Sequence, residues 1–258
     1  MKIRNANPWW TRWQRLWRRW RGHQDNKTHQ VHWVWVDGKR QKRVRFATPQ
    51  RAREVADGLQ AMATTGCFPA LHSHSGCDVF VAYVPQTRPQ DALASGVAAF
   101  YQALYHPQMT PAPQLKPAAV ALAELNQGLS ALEQAGWIDA ECRDQIDAFA
   151  HRHAPPMLVT GYDYVDAVAK NFLFGQDRWF GIDIEAIEPA QWLGLGLAKA
   201  EYRGLVPPAD PDHWGISDPL FKKQYPIVRL IFLVGYFNAK LAQGKPRRIR
   251  IEALTDAI

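Results

Sequence analysis

The dominant periodicity of the apolar residues changes near residue 89 of this chain of 258 residues, and that change limits the folds open to it. Between residues 31 and 88 the pattern is mostly that of strands, in which apolar and polar residues alternate. From residue 89 onward, apolar residues recur mostly at helical spacing. Strands followed by helices are typical of an α+β protein. We therefore predict a strand-rich N-terminal lobe (31–88) and a helical C-terminal lobe (89–258), joined near Pro85–Pro89.

Local signals place the elements within the two lobes. Asp37-Gly38 separates two alternating stretches, 32–36 and 42–46, which predicts a hairpin with a tight turn. Thr48 followed by Pro49 predicts the start of a helix. Strand signal returns at 68–71 and again in the run that Pro85 closes, with a polar turn expected at 72–76. The C-terminal lobe is predicted to open with three helices, at 90–105, 117–135 and 139–153.

The positive charge of the chain is confined to its first residues. Of 31 Lys and Arg residues, seven lie in residues 1–22, which contain no acid; the other 24 equal the number of Asp and Glu residues. The net charge of +7 therefore belongs to this one segment. A basic face on the folded body, which nucleic-acid binding would need, is not expected.

Residues 1–22 combine this charge with a helical pattern. Asn7-Pro8 predicts a helix start and Gly22 its end, and on a helical wheel the tryptophans form one stripe opposite the arginines. Such a helix binds in the interface of an anionic membrane. We expect attachment to the inner face of the cell membrane, with a linker at 23–30. The alternatives are docking of the tryptophans onto the body and binding of nucleic acid by this arm.

Cysteine content and hydropathy bear on the compartment. The three cysteines are too few and too scattered for a disulfide framework, which suits a reducing cytoplasm. No run reaches the roughly 18 apolar residues that cross a bilayer, and no signal peptide is recognisable, so we expect neither a transmembrane nor a secreted protein. Cys67, His72, His74 and Cys77 match no standard zinc-finger spacing, and we interpret them as ordinary strand and turn residues.

The segment 157–187 contains the most informative polar residues. Two short apolar stretches around the turn at 175–178 predict a hairpin, with Asn171 at the start of its first strand and Asp183 near the end of its second. Asp166 lies five residues before Asn171. If the hairpin forms, a carboxylate, an amide and a second carboxylate converge at one edge. Magnesium ions take such oxygen ligands in phosphoryl transfer.

The run Asp166-Ala-Val-Ala-Lys-Asn171, followed by a hydrophobic strand and Gly181-Ile-Asp183-Ile-Glu185, resembles the catalytic loop and metal-binding aspartate of the protein-kinase-like superfamily. The chain looks most like its bacterial small-molecule branch, the aminoglycoside phosphotransferases and lipopolysaccharide core kinases. The resemblance implies a two-lobed kinase fold with ATP as phosphoryl donor. It also implies that Asp166 is the base for the acceptor hydroxyl and that Asn171 and Asp183 bind Mg²⁺.

The chain departs from the pattern of that superfamily in its nucleotide-binding residues. Tyr164 stands where a histidine is usual, and residues 23–45 contain no glycine-rich phosphate loop. The usual strand lysine has three candidate counterparts, Lys42, Arg43 and Arg45, with Glu54 on the next helix as the pairing partner. We expect Lys42, Arg45 and Glu54 to form the nucleotide-binding set.

These observations lead to one functional prediction and two alternatives. The prediction is a cytoplasmic, membrane-peripheral, ATP-dependent phosphotransferase whose acceptor is a hydroxyl of a sugar or of a lipid-linked saccharide such as lipopolysaccharide core. Attachment to the surface raises the local concentration of such an acceptor. The first alternative is a catalytically inactive kinase-like scaffold at the inner membrane. The second treats the Asp/Asn/Asp set as turn and cap residues of an unrelated α+β domain.

Overall fold

The computed structural model of the protein describes residues 4–5, 30–86, 93–208, 211–244 and 251–258. In the N-terminal part of the chain, five strands form an antiparallel sheet of order β1-β2-β3-β5-β4. The strands are β1 (Arg4–Asn5), β2 (Gln30–Val36), β3 (Lys39–Arg45), β4 (Leu71–Ser75) and β5 (Asp78–Ala82), and helix α1 (Pro49–Ala61) connects β3 to β4. We call these six elements the N-lobe.

The β2–β3 hairpin and α1 form where the sequence predicts them. Asp37 and Gly38 both have positive φ, 50° and 75°, as a tight turn between twisted strands requires. Thr48 caps α1, since its Oγ accepts a hydrogen bond from the Arg51 amide at 3.2 Å, and Pro49 lies in the first turn of the helix. The buried face of α1 then packs against the inner face of the sheet.

The prediction of a turn at 72–76 is wrong. The polar residues 72–75 belong to β4, and the chain turns at Gly76-Cys77 instead. β4 is the edge strand of the sheet, and its residues after Leu71 are exposed. A strand of this kind needs no apolar face, so the alternation on which a sequence-based prediction depends is missing.

The C-terminal part of the chain is mainly helical, and we call it the C-lobe. Its helices α2 (Leu93–Met109), α3 (Ala118–Gln134) and α4 (Ala140–His153) correspond to the three predicted ones, although α2 extends past the predicted end at residue 105. The C-lobe also contains β6 (Gln114–Pro117), β7 (Met157–Tyr164), β8 (Phe172–Gly175), β9 (Arg178–Gly181), β10 (Ile187–Trp192), α5 (Leu195–Tyr202), α6 (Pro219–Ala242) and α7 (Glu252–Thr255). Strands β10-β7-β6 form a three-stranded sheet, and β8–β9 is the predicted hairpin.

One buried apolar cluster extends through both lobes. It includes Val44 and Val55 from the N-lobe and Tyr101, Tyr164 and Phe172 from the C-lobe. A second cluster lies among α3, α4 and α6. The shared cluster places the end of β7 and the β8–β9 hairpin directly against the N-lobe.

The predicted N-terminal helix, the linker at 23–30 and the lobe junction lie largely outside the described residues. They remain predictions. Within the part of the chain that the structure describes, no helix has both the length and the apolar character needed to cross a bilayer.

Candidate active site

Asp166 and Asn171 meet in the loop that follows β7. A short 3-10 turn at Ala169–Asn171 reverses the chain and buries the Asn171 side chain. The Asn171 amide nitrogen donates to the Asp166 backbone oxygen at 2.9 Å and to its Oδ2 at 2.8 Å. The amide therefore fixes both the loop and the orientation of the carboxylate.

The β8–β9 hairpin returns the chain to this loop and delivers Asp183. The amide of Ile182 donates to the Asn171 carbonyl at 2.9 Å. Asp166 and Asp183 line the same cavity, which has a volume of about 320 Å³. The structure thus brings together the three oxygen-bearing residues that the sequence analysis grouped.

Tyr164 connects the two halves of this arrangement. It is fully buried, its hydroxyl donates to the Asn171 carbonyl at 3.2 Å, and the same hydroxyl accepts from the Asp183 amide at 3.1 Å. Its ring packs against Phe100 and Phe172. Tyr164 therefore bridges the loop that holds Asn171 and the chain at Asp183.

Lys42 is the β3 residue that reaches this site with a positive charge. Its Nζ donates to the Ile182 carbonyl at 2.6 Å, directly before Asp183. Arg43 and Arg45 occupy odd-numbered positions of β3 and point to the opposite face of the sheet, since successive side chains alternate. Arg43 pairs there with Asp78 at 2.7 Å. The structure therefore does not bring Arg45 to the site.

Glu54 is likewise not placed against Lys42. Its carboxylate accepts from Gln50 at 3.1 Å and Arg51 at 3.3 Å on its own helix. Spacing along α1 did not reveal which position faces the C-lobe, and that position is Arg51. Its guanidinium donates to the Glu185 carbonyl at 2.8 Å and to Glu188 Oε1 at 2.5 Å.

An aromatic group lies beside Lys42 on the same face of the sheet. Trp33 is the cross-strand partner of Lys42, and its ring meets Tyr83 edge-on at 5.2 Å. The Arg40 guanidinium lies 5.0 Å from the Trp33 ring and 4.3 Å from that of Tyr83. Trp33 is 36% exposed, so the surface can stack a planar heterocycle.

Helix α5 brings a second lysine to Asp166. Lys199 Nζ forms an ion pair with Asp166 Oδ1. The start of α5 is held by the fully buried Asp163, whose Oδ2 accepts from the amides of Gly194 at 3.2 Å and Gly196 at 3.0 Å. Burial raises the pKa of Asp163 to about 6 against the opposing effect of its hydrogen bonds.

The pKa of Asp166 moves in the other direction. Burial alone would raise it, but the hydrogen bond and charge of Lys199, together with the Asn171 hydrogen bond, outweigh burial and hold the pKa below its ordinary value. Asp166 is therefore ionised at neutral pH and can accept a hydrogen bond from a hydroxyl group.

The donor set suits a hard divalent cation. Asp183 lines the cavity with its carboxylate, and the buried Asn171 beside Asp166 has an amide oxygen; Mg²⁺ takes one or two such ligands while retaining water and substrate phosphates. Among the described residues, no group of three or more His, Cys, Asp or Glu side chains is placed to hold a metal ion. A cation here would thus depend on phosphate oxygens as well as on Asp183 and Asn171.

The architecture around this site matches solved structures over most of the chain. The macrolide 2'-phosphotransferase MphH from Brachybacterium faecium superposes with a TM-score of 0.58 at 14% identity, covering 90% of this chain and 89% of that one. The protein has a protein-kinase-like fold.

Two further structures share the kinase-like fold. A putative fructosamine-3-kinase from Thermobifida fusca has a TM-score of 0.59 at 16% identity and covers 90% of this chain and 89% of its own. A choline/ethanolamine kinase family protein from Mesorhizobium loti has a TM-score of 0.53 at 15% identity, with 90% and 82% covered. No family model matches the chain, and neither does any curated protein.

Sequence reasoning missed three residues of this candidate site: Arg51, Asp163 and Lys199. Asp163 did leave a signal, since it is a carboxylate within a largely apolar strand three positions before Asp166. Lys199 left none, because it lies 33 positions from Asp166 along the chain. Lys199 and Asp166 become neighbours only when the chain folds.

Proposed function

We propose that the protein is an ATP-dependent phosphotransferase that acts on an alcohol group. The observation that carries the proposal is that Asp166 and Asp183 line one cavity, with Asn171 bonded to Asp166 and Lys42 bonded to the residue before Asp183. An acceptor-side carboxylate, a pair of oxygen ligands and a donor-side lysine are the groups that phosphoryl transfer requires.

Each residue has a role that follows from its position. Asp166 orients the acceptor hydroxyl and accepts its proton as the oxygen attacks the γ-phosphorus. Asn171 holds the Asp166 carboxylate in place. Lys42 adds positive charge on the donor side, next to Asp183. Bound Mg²⁺, held by Asn171 and Asp183, would neutralise charge on the phosphates.

The Trp33, Arg40 and Tyr83 group supports a nucleotide as the phosphoryl donor. It lies in the row of side chains that includes Lys42, so a base stacked on it directs its phosphates toward the lysine. A base stacked on an aromatic ring gains roughly 1–3 kcal/mol.

For the acceptor, we propose a hydroxyl of a sugar or of a lipid-linked saccharide such as lipopolysaccharide core. The names of the structural neighbours, a macrolide phosphotransferase and kinases of fructosamine and choline or ethanolamine, support an acceptor of small-molecule type. The pattern of residues 1–22 supports a location on the inner face of the cell membrane, where a lipid-linked acceptor is concentrated.

Nucleotide binding in the presence and absence of Mg²⁺ tests the proposal. A ligand that binds the folded state raises the melting temperature by mass action, so ATP with Mg²⁺ should raise it more than ATP alone. Asp183→Asn removes the charge while keeping the volume and should abolish the metal-dependent part. Asp177→Asn is the matched control: Asp177 lies in the β8–β9 turn at a φ of 60° that asparagine also adopts. An equal effect of both variants would exclude Asp183 from the site.

A catalytically inactive scaffold is the second candidate, and one observation favours it. Gly38 is the only glycine in residues 23–45, where a phosphate loop is expected. Asp166→Ala separates the two functions. In an enzyme it should leave affinity for ATP and Mg²⁺ nearly intact and reduce transfer by roughly 10²–10⁴-fold. In a scaffold, the wild type transfers no phosphate and the substitution changes nothing but stability.

A further inference from the structure

The helix that contains Lys199 is held by packing that leaves its backbone little freedom. Asp163 caps the start of α5 through the Gly194 and Gly196 amides, and a Cβ at Gly196 would lie 2.2 Å from the Tyr164 carbonyl. The helix therefore rests directly on the end of β7, two residues before Asp166. With its side chain only 17% exposed, the lysine is delivered to Asp166 from a rigid element.

The two oxygens of Asp166 are held by different parts of the C-lobe. Oδ1 accepts from Lys199 and Oδ2 from Asn171. An ammonium group has three N–H donors, and Asp166 Oδ1 takes one of them. Lys199 can therefore contact Asp166 and a second acceptor at the same time.

The negative charge of the cavity that Asp166 lines shows why a second contact of Lys199, with a phosphoryl oxygen, would help transfer. Its walls include one cation, Arg51, which is bonded to Glu188. They also include four carboxylates, those of Asp166, Asp183, Glu185 and Glu188. A phosphoryl group in transfer spreads negative charge over three equatorial oxygens. A cation on the acceptor side would oppose the repulsion between that group and the carboxylates.

Geometry places Lys199 within reach of those oxygens. The acceptor oxygen must lie within about 3 Å of Asp166, and reacting atoms sit about 3–3.5 Å apart. An ammonium group in contact with Asp166 is then within about 9 Å of the phosphorus, a gap that the flexible four-carbon stem of lysine can close.

We propose that Lys199 is the acceptor-side cation of the transfer reaction, holding Asp166 in place and then contacting the oxygens of the transferring phosphoryl group. This inference rests on the proposed function. During transfer the acceptor O–H bond breaks and its proton passes to Asp166. The acceptor oxygen bonds to phosphorus while the bond from phosphorus to the leaving ADP oxygen breaks. Lys199 remains protonated throughout.

The test compares Lys199→Met, which removes the charge at similar length, with Lys199→Arg, which keeps it. Lys223→Met is the matched control, since Lys223 is an exposed lysine of α6. Calorimetry in Mg²⁺ measures binding of ADP and of a non-hydrolysable ATP analogue. Lys199→Met should weaken analogue binding about tenfold and ADP binding less than about twofold, because only the analogue has the γ-phosphoryl group.

Turnover provides the second readout. Lys199→Met should lower kcat by roughly 10²-fold with a KM for the acceptor that changes less than about threefold. Lys199→Arg should recover part of both effects, which a merely structural role for the side chain does not predict. Lys223→Met should match the wild type.

The outcomes separate the two proposals. A wild type that binds neither nucleotide contradicts the proposed function and this inference with it. A wild type that binds and transfers, with Lys199→Met showing the same analogue-to-ADP ratio and the same kcat, contradicts only the role of Lys199.

Discussion

Two aspartates near the end of β7 differ in position and therefore in role. Asp163 is fully buried and turns into the protein, while Asp166, three residues later, faces the cavity. The carboxylate of Asp163 accepts four hydrogen bonds, from the Tyr105 hydroxyl and from the amides of Tyr164, Gly194 and Gly196. This residue therefore fixes the frame within which Asp166 is placed.

Asp163→Asn should destabilise the fold. An amide has one acceptor oxygen and an NH₂ group, so two of the four donors would face other donors. Each buried group left unsatisfied costs about 1–3 kcal/mol, which predicts a loss of roughly 2–5 kcal/mol in the free energy of unfolding, measured by urea denaturation. Asp139→Asn, at the cap of α4, is the control and should cost less than about 0.5 kcal/mol. Equal losses would contradict the role of Asp163.

The same residue predicts a pH dependence of stability. Burial raises the pKa of folded Asp163 to about 6 from an ordinary value of 3.8, so the folded state binds a proton more tightly than the unfolded state. Its contribution to stability is therefore fully present below about pH 4 and is lost as pH rises through about 6. The difference in unfolding free energy between wild type and Asp163→Asn, followed from pH 4 to 7, should decrease. A flat difference would mean that Asp163 does not titrate in this window.

Tyr164→Phe should uncouple the strand end from the loop with little change in volume. It removes the hydroxyl that accepts from the Asp183 amide and donates to the Asn171 carbonyl. We expect a loss of about 1–3 kcal/mol in stability and weaker Mg²⁺-dependent nucleotide binding, measured by thermal shift. Tyr162→Phe, on the same strand, is the control. If the Mg²⁺ dependence of nucleotide binding is unchanged in Tyr164→Phe, the Tyr164 side chain contributes only to packing.

Among the elements, the short helix α5 depends on a close approach to β7. Gly194, with a φ of 118°, begins the helix, and Gly196 allows it to touch the end of β7. In the sequence, residues 194–198 show only two glycines separated by one residue. In the structure they form the site at which the helix carrying Lys199 packs against the strand leading to Asp166.

Gly196→Ala should therefore displace α5. The added Cβ would lie 2.2 Å from the Tyr164 carbonyl and 2.7 Å from the Tyr101 hydroxyl, and overpacking of this kind costs about 1–3 kcal/mol. Gly235→Ala in α6 is the control, because nothing lies within 4 Å of its Cβ and alanine favours a helix by about 0.5–1 kcal/mol. The two variants should move the urea midpoint in opposite directions. A stable Gly196→Ala protein would show that α5 tolerates a shift.

The elements also show which features sequence could predict. The Asp37-Gly38 hairpin and the Thr48 cap depend on neighbouring residues, so local patterns were sufficient. The exposed edge strand β4 has no apolar alternation, so its polar residues predict a turn instead of a strand. The choice of Arg51 over Glu54 depends on how α1 is rotated against the C-lobe, and the meeting of Lys199 with Asp166 depends on tertiary packing. Neither leaves a local pattern in the sequence.

For the whole molecule, the net positive charge lies in one segment at the N-terminus and not in the folded body. All of the net charge resides in residues 1–22, for which membrane attachment remains a prediction. The body has no such excess. Binding to an anionic surface should therefore depend on that segment alone.

Replacing Arg12, Arg15, Arg18, Arg19 and Arg21 with glutamine tests this prediction in the full chain. Deletion of 1–22 is a poorer choice, because it also removes β1, which pairs with β2. Each arginine near an anionic surface contributes about 1 kcal/mol, so co-sedimentation with phosphatidylserine vesicles should weaken by at least about tenfold. Phosphatidylcholine vesicles serve as the control. Equal sedimentation of both proteins with the anionic vesicles would contradict the prediction.

If the protein binds nucleotide as proposed, the Arg51–Glu188 pair between the lobes affects the rate at which nucleotide leaves. Its side chains are 29% and 33% exposed, and an exposed pair is worth about 1 kcal/mol or less. The pair therefore favours the closed arrangement of the lobes by at most about fivefold. Raising the salt from 0.01 to 1 M shortens the screening length from about 30 to about 3 Å. The residence time of a fluorescent nucleotide, measured by stopped flow, should fall as salt rises, and Arg51→Met should make it short at every salt concentration.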